Sequence, residues 1–214
     1  LENRPMLLLI TGLVLFIGAH STRIVSETWR TRLIARVGPL AFKGIVTLLS
    51  LLGLVLIVHG YAAARAQPIA LWTAWSGGRH LAAALSLVAF VLWVAAYVPR
   101  NTIRARLKHP MVIGVKVWAL GHLLANHTLA DLLLFGGLLV WAVLSFRAAR
   151  QRDAVALAQA AELDVAGAVP GEAAAGRPAP SRVADAVVVG IGLAAYGLFA
   201  FHLHASLIGV RPFG

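Results

Sequence analysis

Long apolar runs separated by short basic segments dominate this sequence and decide which folds are open to it. Six segments are about long enough to cross roughly 30 Å of hydrocarbon; they lie at residues 6–20, 40–63, 80–98, 111–125, 129–146 and 183–208. Hydrophobic residues make up 60% of the 214 residues and charged residues only 13%, against about 25% charged residues in an ordinary soluble domain. A soluble core cannot bury that much apolar surface. The sequence therefore predicts an all-α fold, a polytopic transmembrane helical bundle of about six helices.

Basic residues are divided unevenly between the two ends of this predicted bundle. Fourteen of the 19 Lys and Arg residues fall in the connections after the first, third and fifth helices, and four fall on the other side. The positive-inside rule then predicts a multi-pass protein of a bacterial inner (plasma) membrane with both termini periplasmic. Because membrane topology accounts for the net charge of +11, we predict membrane lipid as a partner and no nucleic acid.

Residues 151–182 differ in composition from the rest of the chain. A low-complexity stretch rich in Ala, Gly and Pro begins at Val165, and such a stretch cannot bury a core. We predict a five-helix membrane domain over residues 1–150 and a flexible cytoplasmic linker over residues 151–182. The sixth transmembrane helix, within residues 183–214, then completes the bundle. Residues 151–163 are expected to extend the fifth helix as a frayed end.

Residue types narrow the available chemistry. The chain has no cysteine, which excludes disulfides, thiolate catalysis and Cys-ligated zinc, iron–sulfur or haem sites. Asp131 is the only acid near a helix interior, which disfavours hydrolysis by paired carboxylates. No phosphate loop or nucleophile–base pair is visible. The eight histidines remain as candidates for metal or proton chemistry.

His122 lies deepest, about 18 Å into the layer, because it follows the start of the fourth helix by twelve residues. Trp118 and Asn126 share its helix face, and Gly121 and Ala125 are small enough for another helix or a flat macrocycle to approach. An ionisable group at this depth is costly and usually functional. Its alternative interpretation is a buried histidine bonded to a neighbouring helix.

The other histidines divide by position. His20 ends the first helix, where it is either an interfacial residue or a metal ligand pointing into the bundle. His109 is either solvated or contacts an anion such as a haem propionate. His202 and His204 point about 200° apart on a helix, so one site cannot take both. The remaining three are expected at interfaces, namely His59, His80 and His127.

Lys116 lies about a third of the way into the fourth helix, and we expect it to snorkel or to pair with Asp131. A set of histidines spread over several helices of an apolar bundle suits b-type haem with axial imidazoles.

Four stretches together resemble the NnrU family of bacterial membrane proteins: residues 6–21, 104–111, 116–126 and 204–213. The resemblance covers nearly the whole chain except residues 151–181. NnrU proteins are in turn similar to 15-cis-zeta-carotene isomerase, an integral membrane b-haem enzyme of plants and cyanobacteria. The resemblance implies haem b held by His20, in Ala19-His20-Ser21, and by His122, in Leu120-Gly121-His122. These two are therefore the expected metal ligands.

Further residues follow from the same resemblance. The isomerase has an Arg-His-Pro 13 residues before its second ligand, which matches Lys108-His109-Pro110, so His109 is expected at the propionates. A histidine of the last helix matches His204, expected as a donor behind the cofactor or as a gate. Trp118 and Asn126, chosen because they share the helix face of His122, complete the expected cofactor-binding set. The isomerase has a cysteine three residues before its second ligand, whereas this chain has Ala119, so a cysteine-based ligand switch is not expected.

Three functions are left open at this stage. The first is a haem protein of nitrite and nitric oxide (denitrification) metabolism, with nitric oxide as a possible ligand. The second is a haem-dependent cis–trans isomerase acting on an apolar polyene. The third is a non-catalytic membrane assembly factor.

Counting residues from the helix ends places His20 about 10 Å nearer the inner surface than His122, so the pair His122 with His204 stays open as an alternative.

Overall fold

The computed structural model describes residues 4–165 and 179–213, which are almost entirely helical. Along the chain, the α-helices are α1 (Arg4–His20), α2 (Thr22–Val25), α3 (Glu27–Val37), α4 (Pro39–Ala66), α5 (Gly78–Tyr97), α6 (Thr102–Leu107), α7 (Pro110–Ala125), α8 (Leu129–Asp131), α9 (Gly137–Val165), α10 (Arg182–Leu198) and α11 (His204–Ile208). A π-helical turn, Leu132–Gly136, joins α8 to α9, and a second, Phe199–Leu203, joins α10 to α11. The helical-bundle prediction is confirmed.

All six predicted apolar segments are helices, with ends that differ by a few residues at most, except that the fifth runs on past its predicted end. Four helices are long and apolar enough to cross a membrane: α4, α5, the continuous helix that starts at α8, and the one that starts at α10. The other two, α1 and α7, are apolar but have 17 and 16 residues. The chain is therefore a multi-pass membrane protein by the length and composition of its helices.

Helices α1 and α4 form a close pair because glycines remove the side chains between their backbones. A Cβ atom added at Gly60 would lie 2.4 Å from the backbone nitrogen of Leu9, and one added at Gly12 would lie 2.6 Å from that of Ile57. Leu9 is fully buried in this contact. Small residues that let helix backbones approach are typical of membrane interfaces.

A second group is built around α5, which packs against α7 and α10. Gly121 of α7 faces the backbone of Ala82, and Gly114 faces the indole of Trp93. The sequence leaves two occupants open for the small face of α7 that contains Gly121, another helix or a flat macrocycle. In the structure a neighbouring helix, α5, packs against this face. Helix α9 packs against α7 and joins this group to the α1–α4 pair.

The basic end of the bundle carries three short helices that the hydropathy pattern did not predict: α2, α3 and α6. Asn101 caps α6 by accepting a hydrogen bond from the backbone N–H of Arg104. Asp185 of α10 accepts hydrogen bonds from the backbone N–H and the hydroxyl of Thr102, both at 2.6 Å. These bonds fix α6 against the start of the last long helix.

Part of the predicted linker is helical. Residues 151–163 continue α9, as expected for a helical end, and the helix runs on to Val165. Helix α10 begins at Arg182. The low-complexity residues 166–178 lie outside the described residues, so the linker prediction remains a prediction there.

Candidate haem-binding site

The ring of His122 lies in an aromatic cage. Its centroid is 4.9 Å from that of Trp118, one turn earlier on α7, and 4.7 Å from that of Phe135, which meets it nearly at a right angle. The side chain is partly buried, and its Nδ1 atom is closed off from solvent with no hydrogen-bond partner among the described residues. The sequence leaves two interpretations of His122 open: a functional residue, or a buried histidine bonded to a neighbouring helix. Among the described residues, its Nδ1 atom makes no such bond.

Local structure explains the position of this ring. Pro110 begins α7 at a position where its missing N–H costs nothing. Trp118 lies four residues before His122, and this spacing puts the two side chains on the same face of the helix. Asn126 ends the helix, and its amide donates to the backbone carbonyl of His122 at 2.8 Å. Asn126 therefore holds the end of the helix through the backbone of His122.

The first π-helical turn supplies the other wall of the cage. Phe135 lies within Leu132–Gly136, and its ring is 5.3 Å from Trp118 and 6.1 Å from Tyr61. A π turn rotates the side chains that follow it relative to a regular α-helix and is frequent at functional sites. Hydrophobic periodicity carries no signal for such a turn, so Phe135 is not predictable from the sequence pattern.

A buried carboxylate lies next to this turn. Asp131 is 4% exposed and accepts hydrogen bonds from the Tyr61 hydroxyl at 2.5 Å and from the Thr128 hydroxyl at 2.6 Å. Thr128 and Asp131 also form a reciprocal capping box at the start of α8. The expected pairing of Asp131 with Lys116 is wrong, because the Lys116 ammonium lies 3.6 Å from the ring centroid of Phe146.

The second π-helical turn precedes His204. The ring of His204 is 5.7 Å from that of Phe199, and its Nδ1 lies 2.7 Å from the carbonyl oxygen of Val210. His204 is partly buried and His202 is exposed, so of the two histidines it is His204 that turns inward. Ring contacts run from Phe199 through Phe90 and Trp93 to Trp118, so a series of aromatic side chains connects the surroundings of His204 with the cage of His122.

His20 is held differently from His122. Its Nδ1 lies 2.8 Å from the carbonyl oxygen of Phe16, one turn earlier on α1. A carbonyl can only accept, so Nδ1 carries the proton and the neutral ring keeps its lone pair on Nε2. The ring also meets Trp141 edge-on at 6.1 Å. Trp141 has a buried indole N–H without a partner in the described region.

His20 and His122 contact the same helix at different heights. His20 meets Trp141 and His122 meets Phe135, and these two positions are six residues apart, about 9 Å along a helix axis. The positions that the two rings contact are therefore offset in the direction that counting from the helix ends predicts, with His20 nearer the basic end. No ring contact joins the two histidines among the residues described, and their joint ligation of a metal stays a prediction.

His109 belongs to a pocket at the basic end. The pocket has a volume of about 520 Å³, and its polar lining consists of His20, Arg23, His109, Ser145, Arg152 and Asp153. His109 Nε2 lies 2.9 Å from Asp153 Oδ2, so its partner in this structure is an acid of the extended α9. The pocket brings His20 and His109 together, and the contact of His109 with haem propionates stays a prediction.

The donor set suits a macrocycle better than a bare metal ion. No group of three or more His, Asp or Glu residues able to hold a metal ion occurs in the described parts of the chain. A porphyrin supplies four nitrogen ligands itself and needs one or two protein ligands. A buried ring nitrogen without a partner, enclosed by Trp118 and Phe135, fits that requirement.

Comparison with known proteins gives one result. The profile of a family described as NnrU protein matches residues 8–212, nearly the whole chain. No curated protein and no solved structure matches the sequence.

Proposed function

The chain belongs to the NnrU family, and on that premise we propose that it is a membrane haem protein that holds one b-type haem between His122 and His20. The observation that carries this proposal is the partnerless Nδ1 of His122 in its closed aromatic cage. An unpaired polar atom buried in an apolar interior costs about 1–3 kcal/mol. Such an atom in a native protein calls for an explanation, and a ligand is one.

Each histidine contributes a different property to the proposed site. In His20, the bond between Nδ1 and the Phe16 carbonyl leaves Nε2 as the donor atom, the arrangement that orients metal-bound histidines in proteins. In His122, the buried Nδ1 atom has no hydrogen-bond partner among the described residues that would compete with a ligand. His204 is the competing second ligand, because a series of aromatic contacts connects its surroundings to the cage of His122.

The surrounding residues would exclude water and place the cofactor. Trp118 and Phe135 close the ring of His122 between them. His109, with Arg152 beside it in the pocket, would meet the propionates at the basic end. When bound between two imidazoles, haem b supplies a low-spin one-electron redox centre. Following the resemblance of the sequence, we assign this centre to nitrite and nitric oxide metabolism in the bacterial inner membrane.

An optical spectrum tests the proposal. We expect the wild-type protein, expressed with haem supplied and purified in detergent, to show a Soret band with the sharp reduced bands of low-spin haem. H122A should lose most of this haem, at least tenfold relative to protein. H20A should lose haem or change to a high-spin spectrum, and H204A should leave the ligation intact.

Control variants and opposite outcomes make the test decisive. H59A removes an exposed histidine of α4 and should match the wild type. A wild-type protein without a Soret band contradicts haem binding. A spectrum that survives H20A but changes in H204A replaces His20 by His204 as the second ligand.

Two further measurements distinguish the rival functions, a polyene isomerase and an assembly factor, from the proposed one. Conversion of 15-cis-zeta-carotene in a producing strain indicates an isomerase. Ala119, which stands where the isomerase has its cysteine, is fully buried, so such activity would need a route without a cysteine ligand. Unchanged physiological behaviour of the H20A/H122A double variant indicates an assembly factor.

A further inference from the structure

Helix α3 packs against α4, a helix long and apolar enough to cross a membrane. The short helices α2 and α3 connect the ends of α1 and α4, which are packed side by side. The Arg30 guanidinium lies 5.5 Å from the ring centroid of Phe42, in the first turns of α4. Because Phe42 is buried, this contact folds α3 back against the start of a membrane helix.

Three bonds hold α2 and α3 together as one segment and connect this segment to α9. Glu27 accepts from Arg23 and from Arg30, each at 3.1 Å, and the hydrogen bond from Arg23 holds the pKa of the Glu27 carboxyl below its usual value. Arg152 of α9 donates to the backbone carbonyl of Arg23 at 3.3 Å. Arg23 and Arg30 are thus matched by an acid of the same segment.

The outward face of α3 has a different composition. Trp29, Arg32 and Arg36 lie within about 60° of one another at 100° per residue, and all three are exposed, Trp29 by 52%. Neither Arg32 nor Arg36 has an ion-pair partner within the described ranges. The neighbouring Leu40, which opens α4, is 83% exposed, so the surface beside this face is apolar.

We infer that the Trp29–Arg32–Arg36 face of α3 binds the headgroups of anionic phospholipids. Tryptophan is enriched at the boundary between hydrocarbon and headgroups, and arginines near a membrane surface attract anionic lipid by about a factor of five each. The occupant is lipid because α3 lies beside spanning helices with an exposed apolar residue next to it. The inference does not depend on haem.

Quenching of Trp29 fluorescence tests this inference. The protein is placed in nanodiscs of equal parts phosphatidylcholine and phosphatidylglycerol, with one lipid at a time brominated close to its glycerol. The contribution of Trp29 is the difference between the protein and its W29F variant. We expect brominated phosphatidylglycerol to quench this contribution with a local enrichment over phosphatidylcholine of about fivefold or more.

The same measurement on R32Q/R36Q, with its own W29F background, should show equal quenching by the two lipids. R4Q/R211Q removes the same charge from the opposite end and should keep the enrichment. Circular dichroism confirms that each variant retains its helix content. Equal quenching by both lipids in the wild type overturns the inference, and so does a Trp29 that neither lipid quenches.

Discussion

Histidines of this chain differ in what their Nδ1 atoms contact. In His20 and His204 this atom faces a backbone carbonyl, of Phe16 and of Val210, so both rings have a fixed tautomer with Nε2 available. In His122 it faces no partner in the described chain and is closed off from solvent. Sequence spacing identified His122 as the deep residue. It did not show which ring nitrogen is bonded, because that depends on side-chain rotamers and on where neighbouring carbonyls lie.

Tyr61 and Asp131 form the strongest polar contact near the cage, and they give the first prediction at this scale. Y61F removes the donor of the 2.5 Å hydrogen bond to the buried carboxylate. Because one lone pair of Asp131 then has no protein donor, we expect the free energy of unfolding to fall by about 1–2 kcal/mol. Titration with sodium dodecyl sulfate in mixed micelles, followed by circular dichroism, measures this change.

Tyr97 provides the matched control, because its side chain is 76% exposed. Y97F should change the free energy of unfolding by less than about 0.5 kcal/mol. Equal effects of the two substitutions would mean that the bond between Tyr61 and Asp131 contributes nothing to stability.

At the scale of helices, apolar length predicts the spans well and cannot predict their irregularities. A run of apolar residues must be helical in a membrane because its backbone polar groups have no other partners. That reasoning does not distinguish α from π turns, so Leu132–Gly136 and Phe199–Leu203 were missed. The short α3 was missed for another reason: it is polar on one face, and only its capping residue Ser26, which accepts from the backbone N–H of Trp29, marks its start.

Pairing of α1 with α4 gives a prediction at this scale. In G60A, the new Cβ would lie 2.4 Å from the backbone nitrogen of Leu9, so one of the two helices must shift. We expect a loss of about 1–3 kcal/mol in the free energy of unfolding, as for other overpacked cores. The same detergent titration measures it.

Gly44 lies in the same helix and has nothing within 4 Å of an added Cβ. G44A should therefore be neutral or slightly stabilising, since alanine is the better helix former. A G60A protein as stable as G44A would show that the close contact of α1 with α4 is not maintained in the folded protein.

At the scale of the whole molecule, the two ends of the bundle differ in charge and in architecture. Of the basic residues that the structure describes, thirteen lie at one end, together with α2, α3, α6 and the continuation of α9. The other is closed by polar contacts of two kinds. Between loops, the backbone N–H of Leu71 donates to the carbonyl of His127, and between helix ends, Arg65 of α4 donates to the carbonyl of Ile208 of α11. Positive charge is retained on the cytoplasmic side during insertion, so the helical end should face the cytoplasm.

Absence of cysteine from the chain makes this orientation directly measurable, since any introduced thiol is the only one present. Ser76, in the loop before α5, and Thr28, in α3, are both exposed and lie at opposite ends. We expect S76C to react with a membrane-impermeant maleimide in intact spheroplasts and T28C to react only after the membrane is permeabilised. The reverse labelling pattern would contradict this prediction and show that the helical end faces away from the cytoplasm. It would also place the Trp29–Arg32–Arg36 face on the outer leaflet, where the charge-based argument for its orientation no longer holds.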